Sequence, residues 1–557
     1  MCLAVLGLWQ LCFVQERRRP VPTSKDARKL TAKIKQAETA AELLDVVDGI
    51  VDKRYFDYIH AAAACTKLAN FRKKGQLGVG KLNRNVLVRL EQRLQGMLVR
   101  KEVGEQGLSN IIWAAANLFA DWPGVQSIVP ALVTQILLKA GDMNPQGLSN
   151  TLWATAQMKD FTPEVLKLLP TLAVQIPLKA HAMAPQGLSN IIWAVARLQN
   201  AAPEILKIVP SIVAQVPLRA DRMKPQELSH SLWAAVQLKD VSPRVLNIVP
   251  VLVEQIPLKA SKMRSQHLSN SLWAAAQLQD TMREVLKIVP ALVEQIRLKA
   301  GNMIPQGMSN SFWAAAKLQD AAPEVLRIVP VLAPQIPLKA GRMKPQELSN
   351  CLWATANMKD VTPAVLQMLL ALVAQIPEKA GEMKPQELSN SFWAAARLLD
   401  GAPEVIKIVP SIAAQIPLRA GGMKPQELSN SLWAAAQLQS AVPEVLKIAP
   451  SLVAQIPLAA RDMVPQGLSN SLWAAARMLD AAPELLKIVP SIVAQIPLRA
   501  GGMKPQELSN CLWAAEKLKD VCPEVLNVVP VLIEQVPLKA NNLLSRELSK
   551  RVGRYHG

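Results

Sequence analysis

The chain has 557 residues, 50% of them apolar and only 4% aromatic, with a formal net charge of +20. A single hydrophobic core rarely serves more than about 250–300 residues, so this length demands several domains or an elongated array. The apolar half excludes global disorder, and so ring-poor an interior suits close-packed helices of Leu, Ile, Val and Ala.

The charge is unevenly spread. Residues 1–100 carry +10 and residues 541–557 carry +3, which leaves about +7 for the long middle. Net charge alone is therefore a weak argument for nucleic acid, and the placement of charges on faces has to decide. Cys2, Cys12, Cys65, Cys351, Cys511 and Cys522 are scattered without a C-x-x-C pair. They define no disulfide framework and no zinc site, and they fit a reducing compartment. His60, His181, His230, His267 and His556 are equally dispersed, so no metal centre and no cofactor is expected.

At the N-terminus, an apolar run of about a dozen residues precedes a basic stretch from Arg17 to Lys35. It lacks the positive n-region of a secretory signal. The basic, acid-poor part resembles an organelle presequence, and an unstructured segment fits the same composition, so residues 1–35 are set apart. Residues 36–100 read as a degenerate helical cap, in which "FDYIHAAAACTKLANF" (56–71) looks like a decayed early copy of a unit that recurs downstream. "GQLGVGKL" (75–82) nearly spells a phosphate-binding loop. Leu82 occupies the place of the magnesium-binding hydroxyl and no strand precedes it, so nucleotide binding is not expected. No stretch of 18 apolar residues predicts a membrane-spanning helix.

From residue 101 the chain repeats. Trp113, Trp153, Trp193 and their successors to Trp513 stand forty residues apart without a slip. Eleven units fill residues 101–540, and 541–557 hold a truncated twelfth with a basic tail. A fixed period in this range predicts stacked supersecondary units, each burying its apolar face only against its neighbours. The expected fold is all-α, a solenoid of about eleven helical hairpins forming a superhelix.

Unit 421–460 shows the local logic. Pro425 suits the first helical position, Glu427 sits at N3, and Met423 with Leu428 can staple the start, although Lys424 is a poor N-cap. Helix A is predicted from Pro425 to about Gln439. At 100° per residue, Leu428, Leu432, Ala435 and Ala436 form an apolar stripe, while Gln426, Asn430 and Gln437 cluster opposite with Trp433 on the border. Helix B is predicted over Pro443–Ala460, with Val445, Ala449, Leu452 and Ile456 on one face. Pro450 and Pro457 fall inside it. With Pro443 they are seven apart and share a side with Lys447 and Ala454, where freed carbonyls meet water. A single kinked helix is preferred to two shorter helices broken at Pro450.

The constant core P-Q-[GE]-L-S-N-x-[LFI]-W-A-x-[AV], followed by an apolar second helix, resembles the octotricopeptide repeat proteins of organelles, which are related to FAST kinase-like and RAP-domain proteins. The resemblance covers residues 101–540. It implies sequence-selective RNA binding in mitochondria or chloroplasts, in RNA processing, stability or translation. The period here is 40 rather than the family's nominal 38. Residues 541–557 leave no room for the C-terminal RAP domain of many relatives, which puts any nuclease role in doubt.

The candidate site is the polar strip of helix A. Its first position is Gln in every complete unit. Its second is Asn110, Asn150, Asn190, His230, Asn270, Asn310, Asn350, Asn390, Asn430, Asn470 and Asn510. Its third varies: Asn117, Gln157, Arg197, Gln237, Gln277, Lys317, Asn357, Arg397, Gln437, Arg477 and Lys517. No acid occurs at any of the three. These side chains offer donors and acceptors to base edges, and one per unit can read one base per unit. A freely drifting solvated position accounts for the same variation. For the constant Asn, a hydrogen bond to a neighbouring unit is the simpler role, because an invariant residue cannot carry a code. Trp433 and its equivalents suit packing between units better than base stacking. A second ladder at the unit junctions offers candidate phosphate contacts: Lys139, Lys179, Arg219, Lys259, Lys299, Lys339, Lys379, Arg419, Arg499 and Lys539, interrupted by Ala459. Cations complementing a helix C-terminus explain the same ladder.

No G-x-S-x-G, H-E-x-x-H or paired-acid constellation appears, so no catalysis is expected. The sequence reading is a monomeric binder of single-stranded RNA in an organellar matrix, mitochondrial before chloroplast. RNA-processing or ribosomal proteins are further partners, and no membrane is involved. An armadillo-like or HEAT-like protein-binding scaffold is the rival. A recently duplicated, little-selected array is the third possibility.

Overall fold

The computed structural model describes residues 24–77 and 82–538. Expectations for residues 1–23, for 78–81 within "GQLGVGKL", for Lys539 and for the truncated unit lie outside the described residues. Two compact units, residues 1–252 and 253–557, are described separately.

Among the described residues every regular element is helical. The first four helices are α1 (Ser24–Gln36), α2 (Ala40–Asp48), α3 (Tyr58–Lys73) and α4 (Arg84–Val99). The described part of segment 1–35 is helical. It forms α1, which packs on α3 and buries Ile34. The decayed copy at 56–71 corresponds to α3, which stacks on the first helix A, Glu105–Leu118, as successive A helices stack on each other.

Helix A occupies the predicted place in each unit, for example Pro425–Leu438. The missing N–H of Pro425 costs nothing at N1. Lys424 cannot cap with its side chain, and the Glu427 carboxylate supplies the cap instead, accepting the Lys424 backbone N–H at 2.9 Å. Leu428, Ser429, Ser431, Leu432, Ala434, Ala435 and Ala436 are all buried. Small residues let adjacent A helices approach, and serines fasten them. Ser389 Oγ donates to the Glu427 carbonyl of the next unit at 2.9 Å, and Ser189 donates to Glu227 at 3.0 Å. The constancy of the L-S-N-x-L-W-A-A core is therefore largely a packing requirement.

Helix B is not one kinked helix. In unit 421–460 a 3-10 segment, Pro443–Ile448, hands over to an α-helix, Ala449–Ala459. Two natural exceptions identify the cause. Arg283 replaces the first proline, yet the 3-10 segment Arg283–Ile288 persists. Leu370 replaces the second, and there a single α-helix runs unbroken through Pro363–Lys379. The residue at the Pro450 position therefore sets the handover. A proline there has no N–H for the carbonyl four residues back and its ring clashes with that carbonyl. Starting the α-helix at Ala449 makes Pro450 an N-terminal residue, where neither matters. Pro450, Ala454 and Pro457 face solvent as predicted.

Leu370→Pro is expected to convert 363–368 to the 3-10 form of the sister units. It should cost less than the ~3 kcal/mol of an interior helix proline. Thermal melting and hydrogen exchange of the 365–369 amides check this, and global loss of the array would contradict it.

The layers follow from these elements. Within residues 253–557, A helices pack in succession from Ser265–Leu278 to Pro505–Leu518, and helix B packs on the 3-10 segment of the next unit, except that in unit 341–380 the unbroken helix Pro363–Lys379 takes that segment's place. The same two layers build residues 101–252. Pro123–Asp142 is long and apolar enough to cross a membrane, but it buries Val125, Ile128, Leu132 and Ile136 in the core of the first unit.

Candidate nucleic-acid interface

The strip opposite the apolar stripe of helix A lies open. In unit 421–460 Gln426 is exposed, and Asn430, Trp433 and Gln437 are half-buried. Each tryptophan of the series packs against its counterpart in a neighbouring unit and lies partly in solvent, beside the variable residue one turn later. Within 1–252, Trp113, Trp153, Trp193 and Trp233 form a ladder with ring centroids 6.4 Å apart. Within 253–557, Trp273, Trp313 and Trp353 continue at 6.4 and 5.5 Å, followed by the pairs Trp393–Trp433 and Trp473–Trp513 at 6.1 and 6.0 Å. Forty-residue spacing with close helix packing is enough to align them, and that is the signal sequence reasoning had available.

The variable residues act on this ladder in different ways. The guanidinium groups of Arg197, Arg397 and Arg477 lie 5.1, 5.0 and 5.4 Å from the ring centroids of Trp193, Trp393 and Trp473. Such cation–π contacts are worth roughly 0.5–2 kcal/mol. Arg397 Nε also donates to the Ala356 carbonyl at 3.2 Å, and Arg477 Nε to that of Ala436 at 3.1 Å. Both reach back one unit at the two places where the ladder of the second half is interrupted. Asn357 Nδ2 donates to the carbonyl of Trp353 at 2.8 Å, Gln157 accepts from Arg197, and Lys317 and Lys517 are exposed.

One assignment is overturned. Asn117 is only 8% exposed, its amide donates to the Trp113 carbonyl at 2.7 Å, and Arg72 of α3 donates to its main-chain oxygen. The cap also places Lys73 over the Trp113 ring at 5.2 Å, where burial lowers its pKa. The cap closes this end of the strip, so Asn117 cannot face a base.

The backbone beneath several variable residues is fastened from the preceding unit. Gln279, Gln319 and Gln439 donate through Nε2 to the main-chain carbonyls of Lys317, Asn357 and Arg477 at 3.1, 2.7 and 3.3 Å. Side chains can thus change while their origin stays fixed. The constant asparagines face the same side. His230, the exception, stacks on Trp193 of the previous unit with centroids 6.2 Å apart. Asn150 and Asn190, with Gln146 and Gln186, line a cleft of about 410 Å³ between two A helices.

The junction cations are not idle. Lys179 Nζ donates to the carbonyls of Gly141 and Met143, both at 2.6 Å. Lys299 reaches Ser261 and Met263 at 2.8 and 2.7 Å, and Lys339 reaches Gly301 at 3.1 Å and Met303 at 2.6 Å. Lys379 repeats the pattern on Gly341 and Met343, and Arg219, Arg419 and Arg499 each reach one such carbonyl through Nη2. These carbonyls lie at the exit of the preceding helix B, where partial negative charge collects. The cations are clasps between units, and phosphate could engage only their remaining protons.

Burial pushes the thiols of Cys65 and Cys511 up to about 12 and that of Cys351 higher, so all three stay protonated at neutral pH. Among the described residues no three His, Cys, Asp or Glu side chains converge.

The architecture is that of a helical-repeat protein, an α-solenoid of 40-residue hairpins. No family model matches the chain, and no curated protein matches it. Solved structures similar to it include a full-length AP-3 complex model in an intermediate open conformation. It is 11% identical over 95% of this chain and 93% of that one, with a TM-score of 0.31. Another is a structure of Kap95p binding to RanGDP, 13% identical over 94% and 74%, with a TM-score of 0.25. Likeness at this level carries nothing about partner or activity.

Proposed function

We propose that the chain binds single-stranded RNA sequence-selectively along the helix A strip, about one nucleotide per unit, as an organellar factor in RNA processing, stability or translation. The carrying observation is the repeated cell. Each full cell holds a partly exposed tryptophan ring, one variable Asn, Gln, Arg or Lys a turn later, and an asparagine amide, replaced once by His230, with no carboxylate at the three strip positions. Rings supply sequence-tolerant stacking, and the variable side chains supply hydrogen bonds to base edges. Remaining protons of the clasp cations supply phosphate contacts. The motif resemblance to octotricopeptide repeat proteins supports the same reading.

The test is random-pool RNA selection on the full chain and on an Arg397→Asn, Arg477→Asn variant. The variant is expected to change its preferred base at two positions two nucleotides apart and to keep the rest of the motif. Neutralising about 6–10 phosphates of a single strand gives a log K against log salt slope of about −4 to −7. A flat salt response with no enriched motif would reject RNA binding and favour a protein-binding scaffold.

A further inference from the structure

The edge formed by the helix B to helix A turns carries a second feature beside the clasp cations. In the first half Leu138, Leu178 and Leu218 project from it. In the second half the row runs at forty-residue spacing from Leu258 to Leu498, broken at Glu378. These leucines are 63–77% exposed. Single exposed leucines need no explanation, but one per hairpin in constant register is a built feature. Each is followed by a clasp residue, except at Ala459, and the clasp's hydrogen bonds fix the turn from which the leucine projects.

Charge divides the two edges of the hairpins. The ten turns from 137–144 to 497–504 hold twenty Lys and Arg against five Asp and Glu. The eleven opposite turns, from 119–124 to 519–524, hold six against seventeen. On the leucine edge Lys224, Lys344, Lys384, Lys424 and Lys504 are exposed at the entry to helix A. Well-separated leucines set among exposed lysines have the composition of a surface that seats in an anionic headgroup layer. Apolar tips enter the acyl boundary while ammonium groups meet phosphate. The acidic opposite edge is repelled, which fixes one orientation.

We propose that this edge, taken within residues 253–557, is a peripheral docking surface for an anionic phospholipid membrane. The sequence reading expected no membrane, on the ground that no spanning helix is predicted, but surface binding needs none. The proposal does not depend on RNA binding, so it is tested on nuclease-treated full chain by flotation with phosphatidylcholine vesicles, with and without phosphatidylglycerol.

Recovery with the anionic vesicles is expected to exceed that with neutral ones at least tenfold and to fall as salt rises. Leu418→Gln, Leu458→Gln and Leu498→Gln together should reduce it at least tenfold with an unchanged circular dichroism spectrum. The natural Glu378 already shows that this position tolerates a polar side chain. Lys424→Gln with Lys504→Gln should reduce it without touching the leucines. Absence of flotation, or equal recovery with neutral vesicles, would overturn the proposal. So would association that rises with protein concentration in the absence of vesicles and is abolished by the leucine changes, which would assign the row to a second copy of the chain.

Discussion

Replacing Trp273, Trp313 and Trp353 together by alanine lowers affinity for the selected RNA by at least about a hundredfold. Base–aromatic stacking costs roughly 1–3 kcal/mol per base when the ring is removed, and each 1.4 kcal/mol is tenfold. Three consecutive rings in one unbroken stretch of ladder therefore remove two or more decades even with incomplete additivity. The same change removes ring–ring contacts worth about 0.5–1.5 kcal/mol each, so melting temperature falls as well. Phenylalanine at the same three positions separates the effects, since it keeps a π face. Recovery of most of the affinity with phenylalanine is the expected result in fluorescence anisotropy. If the alanine variant binds as the parent does, the strip is not where RNA lies.

Phe392→Ala is the largest expected loss of stability, about 3–5 kcal/mol, whereas Phe392→Leu should cost under about 1.5 kcal/mol. Phe392 is fully buried in Pro385–Leu398, between the A helices on either side. Most units carry Leu at this position, as at Leu352, Leu432 and Leu472, so the leucine variant meets packing the array already accommodates. Alanine leaves a void that neighbouring helices cannot collapse into without breaking their own register. Because each unit contacts only its neighbours, the damage is local. Hydrogen exchange should accelerate across 345–440 and stay near the parent values across 465–538. Uniform acceleration over the second half would refute nearest-neighbour behaviour.

Much of this molecule is written in its period. Forty-residue spacing of tryptophan, proline at N1 and the apolar stripe of helix A determine an all-α repeat, its helix A boundaries and a polar strip free of acids. These are local rules acting within one or two turns, so they survive without tertiary context. The sequence also held the clue to helix B, in the contrast between Arg283 and Leu370, but only the elements that form there, a retained 3-10 segment and an unbroken helix, showed which proline governs it.

What the packed structure decided is whatever depends on two units at once. Helical projection placed Trp433 at a border, and whether that border faces solvent depends on how far the next helix A covers it. Asn117 holds the same place in its unit as its ten sisters, yet α3 lies across it. The junction lysines read equally as phosphate ligands or as cations complementing a helix C-terminus, and the carbonyls of the preceding turn, at 2.6–3.1 Å, match the second. The leucine row is invisible in a helical wheel because it sits on the last turn of helix B, where exposure is fixed by the following turn rather than by periodicity. A one-dimensional pattern specifies which face of a helix is apolar. Only the stacking of hairpins determines which faces meet one another and which are left for a partner.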